Sequence, residues 1–420
     1  MNFWKTSFWA TLSTVARLAS QFVVAKLIAV VGGPATFGIV GQFQSFVSLL
    51  QLSNGGIVSS GVTKYSAEYS EAPDKLSKLA NTALKFGFAA SIMTGIFVVI
   101  FSKFLSAYIF QSLEYRWILV AFGLTLFGYT FNQIVLSIFN GLNQMKKYAA
   151  ISIIGAVLSV ILIGWLGYLF STQGVLLAFI LSQVILFGVG LFFLKKTPIR
   201  LQLFAPSIDR VQLKQLLSFS LMSVTSVIAT PMAQLFLRNY VAVHSSWAEV
   251  GHWQAMVRIS DAYLMIITMI ISTYALPKYA RISCNKELAT EISHLFKRLI
   301  PIAVGMAGGI YILKKYIILI LFSPEFLVMK PLFLYQLIGD VFKISSWIMA
   351  NVMVAKAKIK VYIALEIIFT VSFVLLSVLF FQHSGIKGLS MAFCLNYIGY
   401  FFATGAWLYF FLKLQRCNQA

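Results

Sequence analysis

Residues 247–277 read WAEVGHWQAMVRISDAYLMIITMIISTYALP. Gln254, Arg258 and Asp261 fall at i, i+4 and i+7, so an amide, a cation and an anion share one helix face over about two turns. The stretch after them, 262–276, is almost wholly apolar, as a lipid-crossing segment must be. Residues 335–345, YQLIGDVFKIS, repeat the device with the charges reversed, in Gln336, Asp340 and Lys343. An ionised group at membrane depth costs ~2.5–3.5 kcal/mol unless it pairs or faces water. Both seams therefore look inward, onto a partner helix or a cavity.

The rest of the chain agrees. Of its 420 residues 60% are apolar and 11% charged, and the mean hydropathy of +0.86 excludes a soluble globular domain. Apolar runs of membrane-crossing length recur throughout, and the short alternating segments of a β-barrel are absent. The fold class is all-α, a polytopic membrane protein. Lys and Arg number 33 against 12 Asp and Glu, an excess that reflects the positive-inside rule rather than binding of nucleic acid. The first residues are read as the start of a helix, not a removed signal peptide. Cys284, Cys394 and Cys417 form an odd, scattered set that implies no disulfide framework.

Twelve transmembrane helices are expected, at about 6–31, 38–63, 80–101, 116–140, 147–169, 174–194, 213–239, 247–276, 297–313, 327–354, 360–381 and 388–412. The longest connections are 64–79, 195–212 and 277–296. One set of helix ends gathers most of the Lys and Arg, among them Lys64, Lys146, Lys195, Arg210, Lys278 and Lys356. The opposite ends hold only Lys103, Arg116, Arg238, Lys314, Lys315, Lys330 and Lys387. That asymmetry places both termini in the cytoplasm.

The chain also matches itself at a shift of 211–214 residues. Lys26 falls on Arg238, Gln42 on Gln254, Lys64-Tyr65 on Lys278-Tyr279, Lys85 on Lys297, and Asn140 on Asn351. A nearly constant offset across several helices indicates two six-helix lobes. An even helix number per lobe makes the repeat parallel, with a central cleft between lobes, the geometry of alternating access. The expected organisation is an N-terminal lobe at 1–194, a basic cytoplasmic linker at 195–212 and a C-terminal lobe at 213–420.

Arg17 lies near mid-depth of the first helix and Lys26 nearer its outer end. They are about 13–14 Å apart along the axis and half a turn apart around it. Lys26 can snorkel to the outer interface, as can its repeat partner Arg238; for Arg17 that escape is less available. Arg258–Asp261 and Asp340–Lys343 are i,i+3 pairs. Either each pair neutralises itself and fixes packing, or a substrate phosphate takes the cation and frees the carboxylate to bind H⁺ or Na⁺. Neutral pairs there leave Arg17 as the unpaired cation a pyrophosphate needs. Glu366, two turns from Lys358 and Lys360, reads as structural. Amides in the second and fourth helices, Gln42, Gln44, Gln51, Asn54, Asn132 and Asn140 among them, are interhelical glue or, on the second helix, cleft-lining groups for sugar hydroxyls.

No catalytic site appears. The four histidines are scattered without metal-ligand spacing, and there is no P-loop. The GGP at 32–34 is a turn between helices.

These residues resemble a known family. AKLIAVVGGPATFG (25–38), SSGVTKYSAEY (59–69), VGHWQAMVRISDAYL (250–264), LPKYARI (276–282) and YQLIGDVFKIS are similar to stretches of the lipid III and O-antigen flippases, in the multidrug/oligosaccharidyl-lipid/polysaccharide exporter superfamily. The resemblance implies a multi-pass protein of the bacterial inner membrane, two six-helix lobes around a cationic cavity, and translocation of undecaprenyl-pyrophosphate-linked oligosaccharide from the cytoplasmic to the periplasmic leaflet. It implies membrane lipid as surroundings, and the polymerase and chain-length proteins of the same glycan pathway as partners. Arg17, Lys26, Asp261, Asp340 and Lys343 match positions of the family's motifs. Arg258, Gln42 and Gln254 join the candidate substrate-binding set from the residue reading alone. No organic cofactor is implied, and H⁺ exchange, Na⁺ exchange and passive flipping are all compatible with the sequence.

Two rivals stand beside this reading. A cation-coupled antiporter of drugs or metabolites would want acidic rather than basic charge in the cavity. A membrane glycosyltransferase or glycan polymerase would need a sizeable outer loop with paired carboxylates, whereas Glu114, Glu249 and Glu325 are isolated on short connections.

Overall fold

The computed structural model describes residues 3–51, 54, 56–197, 199 and 210–414, so most of the expected linker lies outside the described residues. Those residues hold helices and no strand. In chain order the helices are α1 (Phe3–Gln51), α2 (Ile57–Glu68), α3 (Pro73–Ile100), α4 (Ser102–Phe110), α5 (Arg116–Gly141), α6 (Met145–Lys195) and α7 (Arg210–His244). There follow α8 (Trp247–Ile270), a π turn at Ile271–Ala275, α9 (Leu276–Arg281), α10 (Asn285–Leu321), a 3₁₀ turn at Pro324–Met329, α11 (Leu332–Ala355), α12 (Ile359–Ser384) and α13 (Ile386–Leu414).

Nine described segments are long and apolar enough to cross a membrane. Two of them are double. α1 breaks at Gly33 (φ 64°, ψ −165°), where Pro34 bars the preceding residue from the helical region and only glycine reaches the left-handed one without strain. α6 breaks at Phe170 and Ser171. With α7, the described residues hold helix at each of the twelve expected positions.

Some boundaries moved. The helix expected at 297–313 runs from Asn285 to Leu321, and the one expected at 80–101 starts at Pro73. Hydropathy marks only the part of a helix that sits in lipid. The charged end turns, such as 285–298, stay helical because Glu287 favours the positive N-terminal end of the helix dipole. Cys284 is disulfide-bonded, which its isolation in the sequence did not suggest, and Cys394 is a buried free thiol.

The chain forms two compact units, Met1–Leu235 and Phe236–Ala420, with the division inside α7. In the first, α5 is the central helix, packed by α2, α3, α4 and α6, and α1 lies along α6. In the second, α11 is central, packed by α8, α9, α10, α12 and α13. The internal repeat is visible in backbone detail. After α5 the amides of Gln144 and Asn143 donate to Phe139 O (2.9 Å) and Asn140 O (3.0 Å). After α11 the amides of Lys358 and Ala357 donate to Met353 O (2.7 Å) and Val354 O (3.1 Å). Asn143 and Ala357 both have φ 54°, so each half closes its central helix with the same Schellman cap. The following hairpin also repeats. Ser171 (φ 47°) and Gly385 (φ 56°) make the bend, and a Cβ on Gly174 or Gly388 would lie 1.9 or 2.1 Å from Leu166 O or Phe380 O.

Large apolar side chains along α10 and α12, such as Ile312, Ile320, Leu375 and Leu379, are exposed. That is tenable only against lipid, and the protein is a multi-pass membrane protein.

Candidate functional site

The polar side chains of the second unit converge where α8 packs on α11. Ser260 and Tyr263 are one turn apart on the same face of α8, and both reach Asp340 on α11. Ser260 Oγ donates to Asp340 Oδ2 at 2.5 Å and the Tyr263 hydroxyl donates to the same oxygen at 2.8 Å. Gln336, one turn before Asp340, donates from Nε2 toward Oδ1 and toward Ser260 Oγ, each at 3.4 Å. Asp340 is completely buried. Such a carboxylate is tolerated because donors on two helices replace its hydration. Gln336 Oε1 is buried with no hydrogen-bond partner among the described residues.

Lys343 does not close the i,i+3 pair that the sequence offered. Among the described residues no ion pair joins it to Asp340. Its Nζ lies 5.0 Å from the Trp347 ring centroid, 5.4 Å from that of Tyr397 and 5.5 Å from that of Phe393. The short Asp340 side chain is taken by the hydroxyls of α8, while Lys343, most of a turn further on, meets the rings of α13. A cation over a ring is worth ~0.5–2 kcal/mol, more as water is excluded. Asp261, Asp340 and Glu366 remain within electrostatic range of the ammonium. Glu366 is not partnered by the lysines two turns away; its Oε1 accepts from the Tyr400 hydroxyl at 2.9 Å.

Arg238 is a correction. It was expected at the outer interface, but it is 2% exposed and its guanidinium donates to Gln254 Oε1. Its neighbours Leu237 and Val241 join a core with Val250 and Trp253, which carries the side chain inward beside α8. Arg258 is half-buried and Asp261 exposed. Asp261 acts electrostatically on both arginines, and Arg258 acts on Arg238, so a third charge joins the expected pair.

Matches with known proteins bear on this site. The polysaccharide biosynthesis protein family covers residues 3–283. The chain belongs to that family. The Lipid III flippases of Escherichia coli (strain K12) and Shigella flexneri are each 29% identical to it over 408 residues, 96% of this chain and 97% of theirs. A structure described as the inward-facing conformation of a multidrug resistance MATE family transporter of the MOP superfamily superposes with a TM-score of 0.80 at 17% identity, over 97% of this chain and 96% of that one. The outward-facing conformation gives 0.65 at 16% identity, over 97% and 94%. The polysaccharide biosynthesis family is thus built here on the MATE fold.

In this family member the eight candidate residues divide between the units. Gln254, Arg258, Asp261, Asp340 and Lys343 lie in the second, and Arg17, Lys26 and Gln42 in the first. Arg17 is exposed, and among the described residues its guanidinium makes no hydrogen bond or ion pair. Lys26 is half-buried. Gln42 is completely buried and donates to Leu235 O at 3.2 Å. Other amides of the first unit are interhelical glue: Thr94 donates to Asn54 (2.9 Å), and Asn132 donates to Gln183 O (3.1 Å). Reading charges alone missed Ser260, Tyr263, Arg238 and the α13 rings. A signal for Arg238 was present, since Arg238 and Gln254 are separated by the same sixteen residues as their repeat partners Lys26 and Gln42.

Proposed function

We propose that this protein is a flippase that carries undecaprenyl-pyrophosphate-linked oligosaccharide from the cytoplasmic to the periplasmic leaflet of a bacterial inner membrane by alternating access. In this reading 1–194 and 213–420 are the two six-helix lobes, 195–212 is a cytoplasmic linker, and both termini are cytoplasmic. One observation carries it. A chain that aligns end to end with lipid III flippases keeps Arg238, Arg258, Lys343, Asp261 and Asp340 inside or beside membrane-length helices. Unaided passage of a diphosphate and several sugars through hydrocarbon would strand charge and hydroxyls without partners. Fixed cations and amides replace that hydration, while the polyprenyl tail stays in lipid.

Arg17, Lys26, Arg258 and Lys343 take the phosphates, the cations suited to diphosphate oxygens. Gln254 steadies Arg238 and Gln42 is held on Leu235 O, so in this reading the two amides support the site from within the packing. Asp261 is the counter-charge that binds H⁺ or Na⁺ when substrate draws Arg258 away, and Asp340, held by the hydroxyls of Ser260 and Tyr263, fixes α8 against α11 beside it. The polymerase and chain-length proteins of the same glycan pathway consume the product on the outer side.

The test is flipping in proteoliposomes loaded with undecaprenyl-pyrophosphate oligosaccharide, read by access of an external glycan-modifying reagent to the inner-leaflet pool. Access that depends on the protein and is lost in Arg17→Ala is the expected result. Access no greater than in empty liposomes, with and without an H⁺ or Na⁺ gradient, overturns the flippase and leaves the drug-antiporter reading.

A further inference from the structure

We propose that Glu366 on α12 is a positioning residue of the transport site, the carboxylate that receives Lys343 when its ammonium leaves the aromatic cage. This rests on the flippase reading above, in which Lys343 engages the substrate phosphates.

The case begins with what each carboxylate has left to offer. Asp340, the sequence neighbour of Lys343, already accepts from Ser260, Tyr263 and Gln336, donors that come from two helices and engage both of its oxygens. A lysine moving onto it would have to displace them. Glu366 accepts only the Tyr400 hydroxyl on Oε1, and its second oxygen has no hydrogen bond among the described residues. An ionised carboxylate accepts about four hydrogen bonds, so Glu366, with one, has more capacity to spare for a cation than Asp340, with three.

The route to it is built from α13. Phe393, Tyr397 and Tyr400 fall at i, i+4 and i+7 on one helix face and form a continuous ridge. Ring centroids are 4.6 Å apart for Phe393–Tyr397 and 6.2 Å for Tyr397–Tyr400. Lys343 sits at the Phe393–Tyr397 end of the ridge, and Tyr400, at the other end, holds Glu366. The four-carbon stem of Lys343 is flexible, and its ammonium is already within electrostatic range of Glu366. The rings hold Lys343 without neutralising it, which leaves the ammonium available to an incoming phosphate. Glu366 takes it up once the phosphate has gone, so that substrate is released rather than retained.

The experiment is a double-mutant cycle on initial flipping rate in proteoliposomes, with Glu366→Gln, Lys343→Met and the double variant, beside Glu366→Asp and Tyr400→Phe. Each single neutralisation is expected to lower the rate tenfold or more. The double variant should be no slower than Lys343→Met alone, because Glu366 acts through Lys343. Glu366→Asp, which keeps the charge, should retain at least a third of the rate. Tyr400→Phe separates positioning from packing, since it removes the hydrogen bond and leaves the carboxylate, whereas Glu366→Gln removes the charge and keeps an acceptor for Tyr400; it should cost threefold or less. A wild-type rate in Glu366→Gln, multiplicative losses in the double variant, or equal losses in Tyr400→Phe and Glu366→Gln would each overturn the inference. Should Glu366→Gln not accumulate, the double variant, which strands no charge, is compared with Lys343→Met directly. Wild-type protein that moves no lipid-linked oligosaccharide refutes the flippase reading itself, a different failure from an active wild type indifferent to Glu366.

Discussion

The Tyr263 hydroxyl on α8 donates at 2.8 Å to Oδ2 of Asp340 on α11, residues 77 positions apart, and Ser260 shares that oxygen. The carboxylate is thereby satisfied by neutral donors, and Lys343 is released to the rings of α13. Hydrogen bonds between membrane helices average about 0.6 kcal/mol and reach ~1.7, and bonds to a charged group lie at the upper end. Tyr263→Phe should lower stability by about 1–2 kcal/mol, read as a fall in melting temperature in detergent. Asp340→Leu, which takes the acceptor from the buried hydroxyls of both Ser260 and Tyr263, should lose more than Tyr263→Phe. An unchanged melting temperature in both would show that this network does not hold α8 to α11.

Arg238 and Gln254 form the buried contact that crosses from α7 to α8. Losing the acceptor of a buried charged donor costs about 1.5–3 kcal/mol, whereas replacing both partners by apolar residues of similar size is near neutral. Gln254→Leu alone should therefore reduce folded yield sharply, and Arg238→Met with Gln254→Leu should restore most of it. The comparison is made by size-exclusion recovery of detergent-solubilised protein. Equal recovery of single and double variants would contradict the contact.

Arg258 is half-buried beside Arg238, while Asp261 is exposed. The exchange Arg258→Asp with Asp261→Arg keeps the net charge and sets a carboxylate nearer Arg238. It should accumulate normally yet lose at least tenfold in flipping rate, because the exchanged cation is no longer where substrate phosphate meets it. Normal flipping by the exchanged protein would make the pair structural only.

The two Schellman caps carry different residues at the left-handed position. Asn143 tolerates a left-handed backbone, but Ala357 at the same φ of 54° is strained. Ala357→Gly should raise stability by ~1 kcal/mol, and Asn143→Gly by less. Thermal unfolding of both variants checks the ranking; a destabilised Ala357→Gly would show that the alanine methyl contributes packing that outweighs the strain.

The number of helices, the breaks at Gly33 and near Ser171, the internal repeat and the two charged seams were all legible in the sequence. They depend on local quantities: the length of apolar runs, the backbone preferences of Gly and Pro, and the 3.6-residue period that sets which positions share a face. The flanks of α3 and α10 were not legible, because hydropathy stops at the membrane surface and a helix does not. Nor were the partners of the charges. From spacing alone Asp340 belongs with Lys343, Arg238 with the interface and Glu366 with Lys358 and Lys360. The structure gives them instead to Ser260 and Tyr263, to Gln254 and to Tyr400. Inside lipid a polar group takes the best donor or acceptor that packing brings to it. Which helix face brings it, tens of residues away in the chain, is decided only when α8, α11, α12 and α13 pack together.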